Sequence, residues 1–180
     1  MSRRYFLLLA FGTLIVMGGL GFIFTPLARE VNIWVFLKGQ VPVPQQMLAG
    51  FVTGIVCSVL AWQIIKLPFL SSTRNFFTRL ISELQLNTVQ IVFVSICAGI
   101  GEELLFRGAI QPVAGIFITS LVFVALHGYL NPFNPRIIVY GVFMTFFIIF
   151  LGYLTERLGI LSSIVAHTVI DIYLLRKLSQ

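Results

Sequence analysis

Four stretches of this chain, residues 5–24, 47–65, 137–154 and 158–175, are each apolar over about 18–20 residues, the length that carries an α-helix across a bilayer. Nothing else in the sequence restricts the fold as severely. The runs do not alternate between apolar and polar residues, so the other structure able to span a membrane, a closed β-barrel, is not indicated. Composition agrees: 58% of the 180 residues are hydrophobic and 10% charged, against roughly 45–50% and 25% in soluble domains. The expected fold is all-α, a polytopic bundle with lipid as its solvent.

The first run follows a basic stretch, Arg3-Arg4, and resembles a twin-arginine export signal. It is longer than an ordinary signal core and more runs follow, so it reads as a retained helix. Cys57 and Cys97 both fall inside apolar runs and behave there as small hydrophobes, not as a disulfide or metal pair.

Two further apolar stretches occupy the middle of the chain. Residues 88–101 end at Glu102, Glu103 and Arg107, and residues 116–130 are interrupted only by His127. With Pro112 and Gly115 marking a turn near Val113-Ala114-Gly115, they read as a helical hairpin and bring the total to about six spans. Placing both termini in the cytoplasm puts Arg3, Arg4, Lys66, Arg74, Arg79, Arg136, Arg176 and Lys177 on that side, and only Arg29, Lys38 and Arg157 opposite, the bias expected of inner loops. In the long cytoplasmic loop Ser72 is placed to cap a helix lying in the interface, with Phe76, Phe77, Leu80, Ile81 and Leu84 on its apolar face. Ile33-Trp34-Val35-Phe36 reads as interfacial and Val41-Pro42-Val43-Pro44 as an extended turn. Residues 1–87 thus form two helices plus an interfacial helix, and residues 88–180 a four-helix core. There is no internal repeat, phosphate loop or soluble domain, and the net charge of +6 is accounted for by topology and anionic lipid, not by nucleic acid.

Function is concentrated in the charges that interrupt the apolar runs. Each ionised residue at a helix centre opposes insertion by about 2.5–3.5 kcal/mol, so Glu102, Glu103, Arg107 and Asp171 together oppose it by on the order of 10 kcal/mol if unpaired. Such residues are functional by default. Glu103 and Arg107 stand i, i+4 in the acid-first order and can pair; His167 and Asp171, and Phe123 and His127, share that spacing. Glu102 and His127 are each about 12 residues, roughly 18 Å, from the turn. Measured from residue 158, His167 is about 14 Å deep and Asp171 about 20 Å. All four therefore fall in one layer near the bilayer middle.

Glu102-Glu103-Leu104-Leu105-Phe106-Arg107-Gly108, then Phe123-Val124-Ala125-Leu126-His127, then His167-Thr168-Val169-Ile170-Asp171 resemble the three motifs of the CAAX protease and bacteriocin-processing family. These are intramembrane endopeptidases that include the enzymes trimming prenylated CAAX proteins. The resemblance covers roughly residues 88–178. It implies that Glu102 and His127 hold and activate a water, general-base work suited to a desolvated carboxylate, and that His167 stabilises the oxyanion. Glu103 and Arg107 are expected as support, and Phe123 as packing around the site. Family members often carry Asn at the position of Asp171. Here Asp171 is either a protonated donor or, the expected role, an acceptor that orients His167.

No cofactor is expected. Glu102, His127 and His167 are an alternative zinc-ligand set, but the HExxH helix signature is missing, which favours a metal-free glutamate mechanism. The partners implied are a membrane-associated protein or peptide substrate and the bilayer itself, and compact size with family analogy points to a bacterial inner membrane. Two other classes remain open to the sequence: an ion- or proton-coupled transporter, which intramembrane Glu and His chains can also build, and a non-catalytic membrane scaffold or regulator.

Overall fold

A computed structural model describes residues 1–180, and every regular element in it is helical. In chain order these are α1 (Arg3–Arg29), α2 (Ile33–Lys38), α3 (Val43–Ile65), α4 (Ser71–Ser82), α5 (Thr88–Glu103), a π-helical segment (Leu104–Ile110), α6 (Gln111–Leu126), α7 (Pro135–Arg157) and α8 (Ile160–Leu178), with a single 3₁₀ turn, Pro68–Leu70, before α4. Arg3–Arg29, Val43–Ile65, Thr88–Leu126 and Pro135–Arg157 are long and apolar enough to cross a membrane. The outer surface is correspondingly greasy: Val113, Phe117 and Phe146 are each at least 60% exposed. The chain is a helical membrane protein.

The small residues of the first two long helices set how closely the bundle packs. The buried face of α1 is Ala10, Gly18, Gly21 and Thr25, which lets it lie directly on α5 and the π segment. A Cβ at Gly21 would fall 2.6 Å from the Leu104 carbonyl oxygen. Gly50, Gly54, Ser58 and Ala61 do the same for α3 against α8, where a Cβ at Gly50 would meet the Ser162 carbonyl oxygen. Small residues of this kind bring helices together where lipid gives no hydrophobic drive. The larger apolar side chains collect between α6, α7 and α8, with Phe123, Phe147, Leu151 and Ile170 in the main cluster.

The hairpin expected around Val113-Ala114-Gly115 is present, and its reversal sits at Gly115, whose φ of 78° and ψ of 161° interrupt the Thr88–Leu126 helix. Phe106 then packs edge-on against Phe123 across the two arms, centroids 4.8 Å apart. The second arm is shorter than residues 116–130 suggested. Helix ends at Leu126, His127 is its cap and Gly128 turns away at φ 76°. An arm of eleven residues or so rises only about 16 Å. Residues 127–134 cover the remaining depth without helical structure, folded against α7 so that a Cβ at Gly141 would strike the Tyr129 carbonyl. Irregular backbone at such depth is tolerated where it is buried in protein or lines a cavity.

Elsewhere the helices extend past the apolar runs. α3 begins at Val43, with Pro42 as its cap, so Val41–Pro44 is a helix start and not an extended turn. Residues 33–36 belong to α2, capped by Asn32, with Ile33 and Phe36 buried. Ser72 caps nothing, because the Pro68–Leu70 turn runs straight into α4. Of the five apolar residues assigned to one face of α4 and its extension, Ile81 and Leu84 are buried, while Phe76 is 63% exposed.

Contacts also sort the loops into two ends. At one end Arg29 pairs with Glu156, Gln46 of α3 holds the carbonyls of Lys38 and Val41, and the backbone of Gly39 meets that of Gly159. At the other end Arg136 reaches Ser72 and Arg176 reaches Thr88. Arg136 and Arg176, assigned above to the cytoplasmic side, lie at this second end, and Arg29 and Lys38 at the first.

Candidate active site

Glu102 and Glu103 close α5, where the backbone changes from α to π geometry. A π turn adds a residue per turn and re-aims the side chains beyond it, which is why such turns recur at functional sites. Here Glu103 turns inward and is completely buried, as is Arg107. Arg107 Nε donates to Glu103 Oε2 at 3.1 Å, and Arg107 Nη1 donates to Gln111 Oε1 at 3.1 Å. The guanidinium also lies 5.9 Å from the Phe123 ring centre. A buried acid–base pair of this kind survives desolvation only with its hydrogen bonds made.

His167 comes from α8 and shares Glu103. Its Nδ1 lies 2.9 Å from Glu103 Oε1, so an ion-paired carboxylate accepts the Nδ1–H and the ring presents Nε2 to the opposite side. His127 is fixed in the same sense by a different partner. Its Nδ1 donates to the Phe123 carbonyl at 2.8 Å, and its ring stacks on that of Phe123 at 4.4 Å. Both imidazoles therefore turn Nε2 to one point, which Glu102 occupies. Glu102 Oε2 is 3.5 Å from His127 Nε2 and 3.9 Å from His167 Nε2. Asp171 completes the group, with Oδ2 3.6 Å from His167 Nε2. These gaps are longer than direct hydrogen bonds.

Glu102, His127, His167 and Asp171 thus come from three helices into one cluster, as equal depth required. The side chain hydrogen-bonded to His167 is Glu103, at Nδ1, while Asp171 lies on the Nε2 side at 3.6 Å. Glu103, the last α-helical residue before the π segment, reaches His167 of α8 while it stays paired with Arg107. Phe123 does pack around the site, touching Phe106, His127 and His167. No three His, Cys, Asp or Glu side chains are disposed as a metal-ligand group.

The cluster borders a cavity of about 500 Å³. Its polar wall is Glu102, His127, His167 and Asp171; its other walls are mostly apolar and include Phe6 and Ala10 of α1, Leu80 and Ile81 of α4, and Leu174 and Leu178 of α8. The cavity therefore runs from the cluster to the end that carries both termini and α4. Tyr129 and Tyr140 also line it, and the sequence reading missed both. Gln111 was missed as well, although it continues the stripe of Glu103 and Arg107 at a further four residues.

Residues 84–173, half of the chain, match the family described as type II CAAX prenyl endopeptidase Rce1-like, and the chain belongs to that family. The matched stretch contains the whole cluster from Glu102 to Asp171. Neither a curated protein nor a solved structure matches the chain. Membership makes this a membrane endopeptidase by family, with a protein or peptide substrate met in the membrane.

Proposed function

We propose that the chain hydrolyses a peptide bond inside the membrane with a water activated by Glu102 and His127, and that no metal takes part. The observation that carries this reading is the placement of Glu102 Oε2 between two Nε2 atoms, 3.5 and 3.9 Å away, at the inner end of the cavity. A water held there donates one hydrogen to the Glu102 carboxylate and the other to His127 Nε2, whose lone pair is free because Nδ1 is spent on Phe123. As the water oxygen bonds to the scissile carbonyl carbon, Glu102 takes its proton. When the tetrahedral intermediate collapses, that proton passes to the leaving nitrogen and the C–N bond breaks. Protonated His167 donates from Nε2 to the oxyanion while Glu103 holds its other nitrogen. Asp171 stands beside the same Nε2 as a second group on the oxyanion side. The cavity opens at the end that the basic residues assign to the cytoplasm, so the substrate enters from that side, with its apolar portion along the walls formed by α1, α4 and α8.

The test is cleavage of membrane-anchored reporter peptides by protein reconstituted in liposomes, with Glu102→Gln prepared alongside. The wild type should cleave and Glu102→Gln should be inactive at every pH. Chelator should leave the wild-type rate unchanged. Turnover by Glu102→Gln would remove Glu102 as the base, and loss to chelator with rescue by zinc would overturn the metal-free mechanism.

A further inference from the structure

Arg29, Gln111 and Glu156 lie outside the catalytic cluster, and the mechanism above makes no use of them. Gln111 and most of Arg29 are shielded from solvent, and polar atoms so placed must be accounted for. Gln111 is almost fully buried. Its Oε1 accepts from Arg107 Nη1 at 3.1 Å, and its Nε2 donates to Glu156 Oε1 at 2.6 Å and to the Gly152 carbonyl at 3.3 Å. An amide can accept from a guanidinium on one side and donate to a carboxylate on the other. Glu156 in turn accepts from both terminal nitrogens of Arg29, at 2.7 and 3.1 Å, a two-point contact.

Arg29 has a second task. Its Nη2 donates to the Arg107 carbonyl at 2.6 Å and its Nε to the Gly108 carbonyl at 3.2 Å. Neither carbonyl has an α-helical donor. The Gln111 N–H bonds back to Phe106 instead of Arg107, and the residue that would serve Gly108 is Pro112, which has no N–H. One guanidinium from α1 thus satisfies the backbone at the point where the helix carrying Glu103 departs from α geometry. A continuous chain of contacts runs Arg29–Glu156–Gln111–Arg107–Glu103–His167, from the loop end of the bundle to the catalytic ring.

We propose that Arg29, Gln111 and Glu156 are positioning residues for catalysis: they hold the π segment and Arg107, and through Glu103 they set the position of the His167 ring. Arg29 lies outside the stretch matched to the family, so α1 contributes to the site and is more than a lipid-facing neighbour. The inference rests on the endopeptidase reading for its kinetic arm alone.

The protein has two histidines, so ¹⁵N-histidine labelling in detergent micelles gives one set of ring signals for each, assigned with His127→Gln and His167→Gln. Gln111→Met and Arg29→Met should move the His167 ring signals and leave those of His127, fixed by its own helix carbonyl, in place. The same variants should lower kcat by about 10- to 100-fold, the usual consequence of slack behind a catalytic group, with little change in KM. Where Arg29→Met does not fold, Glu156→Gln, a near-isosteric change at a partly exposed side chain, serves instead. Unmoved His167 signals overturn the proposal. So does joint movement of both histidines, which would report general loosening. If the wild type cleaves nothing, the endopeptidase reading falls, while the ring signals still decide whether these residues position His167.

Discussion

Replacing Arg107 by Met isolates a carboxylate in the most enclosed part of the bundle. Glu103 and Arg107 are both fully buried and meet at 3.1 Å. Met keeps much of the volume but leaves Glu103 with His167 Nδ1 as its one hydrogen-bonding partner, and removes the partner of Gln111 Oε1. Breaking one side of a buried pair costs about 3–5 kcal/mol. Because Glu103 retains the His167 bond, the lower end applies, about 3 kcal/mol. For a chain of this length 1 kcal/mol moves the unfolding midpoint by about 2–4 °C, so Arg107→Met should unfold roughly 6–12 °C below the wild type. The double variant Arg107→Met/Glu103→Gln removes both charges, and neutral replacement of a buried pair is close to neutral or stabilising. Most of the lost stability should return, but turnover should not, because the carboxylate that holds His167 is gone. Thermal unfolding of the three proteins in one detergent reads the first part, and peptide cleavage the second. A double variant no more stable than Arg107→Met would refute the reasoning, since the buried charge would then not be the source of the loss.

Asp171→Asn should alter turnover by no more than about tenfold, the worth of one hydrogen bond, while Glu103→Gln should cost about 100-fold by releasing His167. Kinetics in the reverse order would return the orienting role to Asp171. Gly21→Ala should lower the unfolding midpoint, because its methyl group would strike the Leu104 carbonyl, and overpacking of this kind costs about 1–3 kcal/mol. Gly12→Ala, with nothing within 4 Å, is the control, and equal midpoints for the two would rule out the close approach of α1. Cysteine labelling should reach residues 66–87, 131–136 and the C-terminus from the cytoplasm, and residues 25–46 and 156–159 from outside. Labelling of residues 131–136 from the outer face would invert the assigned topology.

What the sequence conveyed best was depth. Spacing from two turns placed Glu102, His127, His167 and Asp171 in one layer, and the structure brings their side chains within 4 Å of a neighbour in the group. This works because in an apolar helix the rise per residue is fixed and a buried charge has few places to go. Rotation about the helix axis was harder to read. The i, i+4 spacing of His167 and Asp171 suggested a direct contact, yet the imidazole nitrogen that needed an acceptor found Glu103 on another helix. Small-residue stripes such as Gly50, Gly54 and Ser58 were also passed over, since in lipid they carry packing without any hydrophobic contrast to mark them.

The π segment explains the missed support. Its signal in the sequence is slight: a proline at 112 that denies Gly108 a donor, and a charged pair at 103 and 107 that reads equally well on a straight α-helix. In a regular helix the Arg107 carbonyl would take the Gln111 N–H, and only the Gly108 carbonyl, opposite Pro112, would lack a donor. Once the backbone adopts the wider turn, those carbonyls need a donor, and the nearest end of α1 supplies one that is already paired with Glu156. The wider turn that follows Glu103 therefore frees the Arg107 carbonyl that Arg29 meets. The N-terminal helix, which carries no recognisable motif, is in this way tied to the same geometry as the three motifs that do.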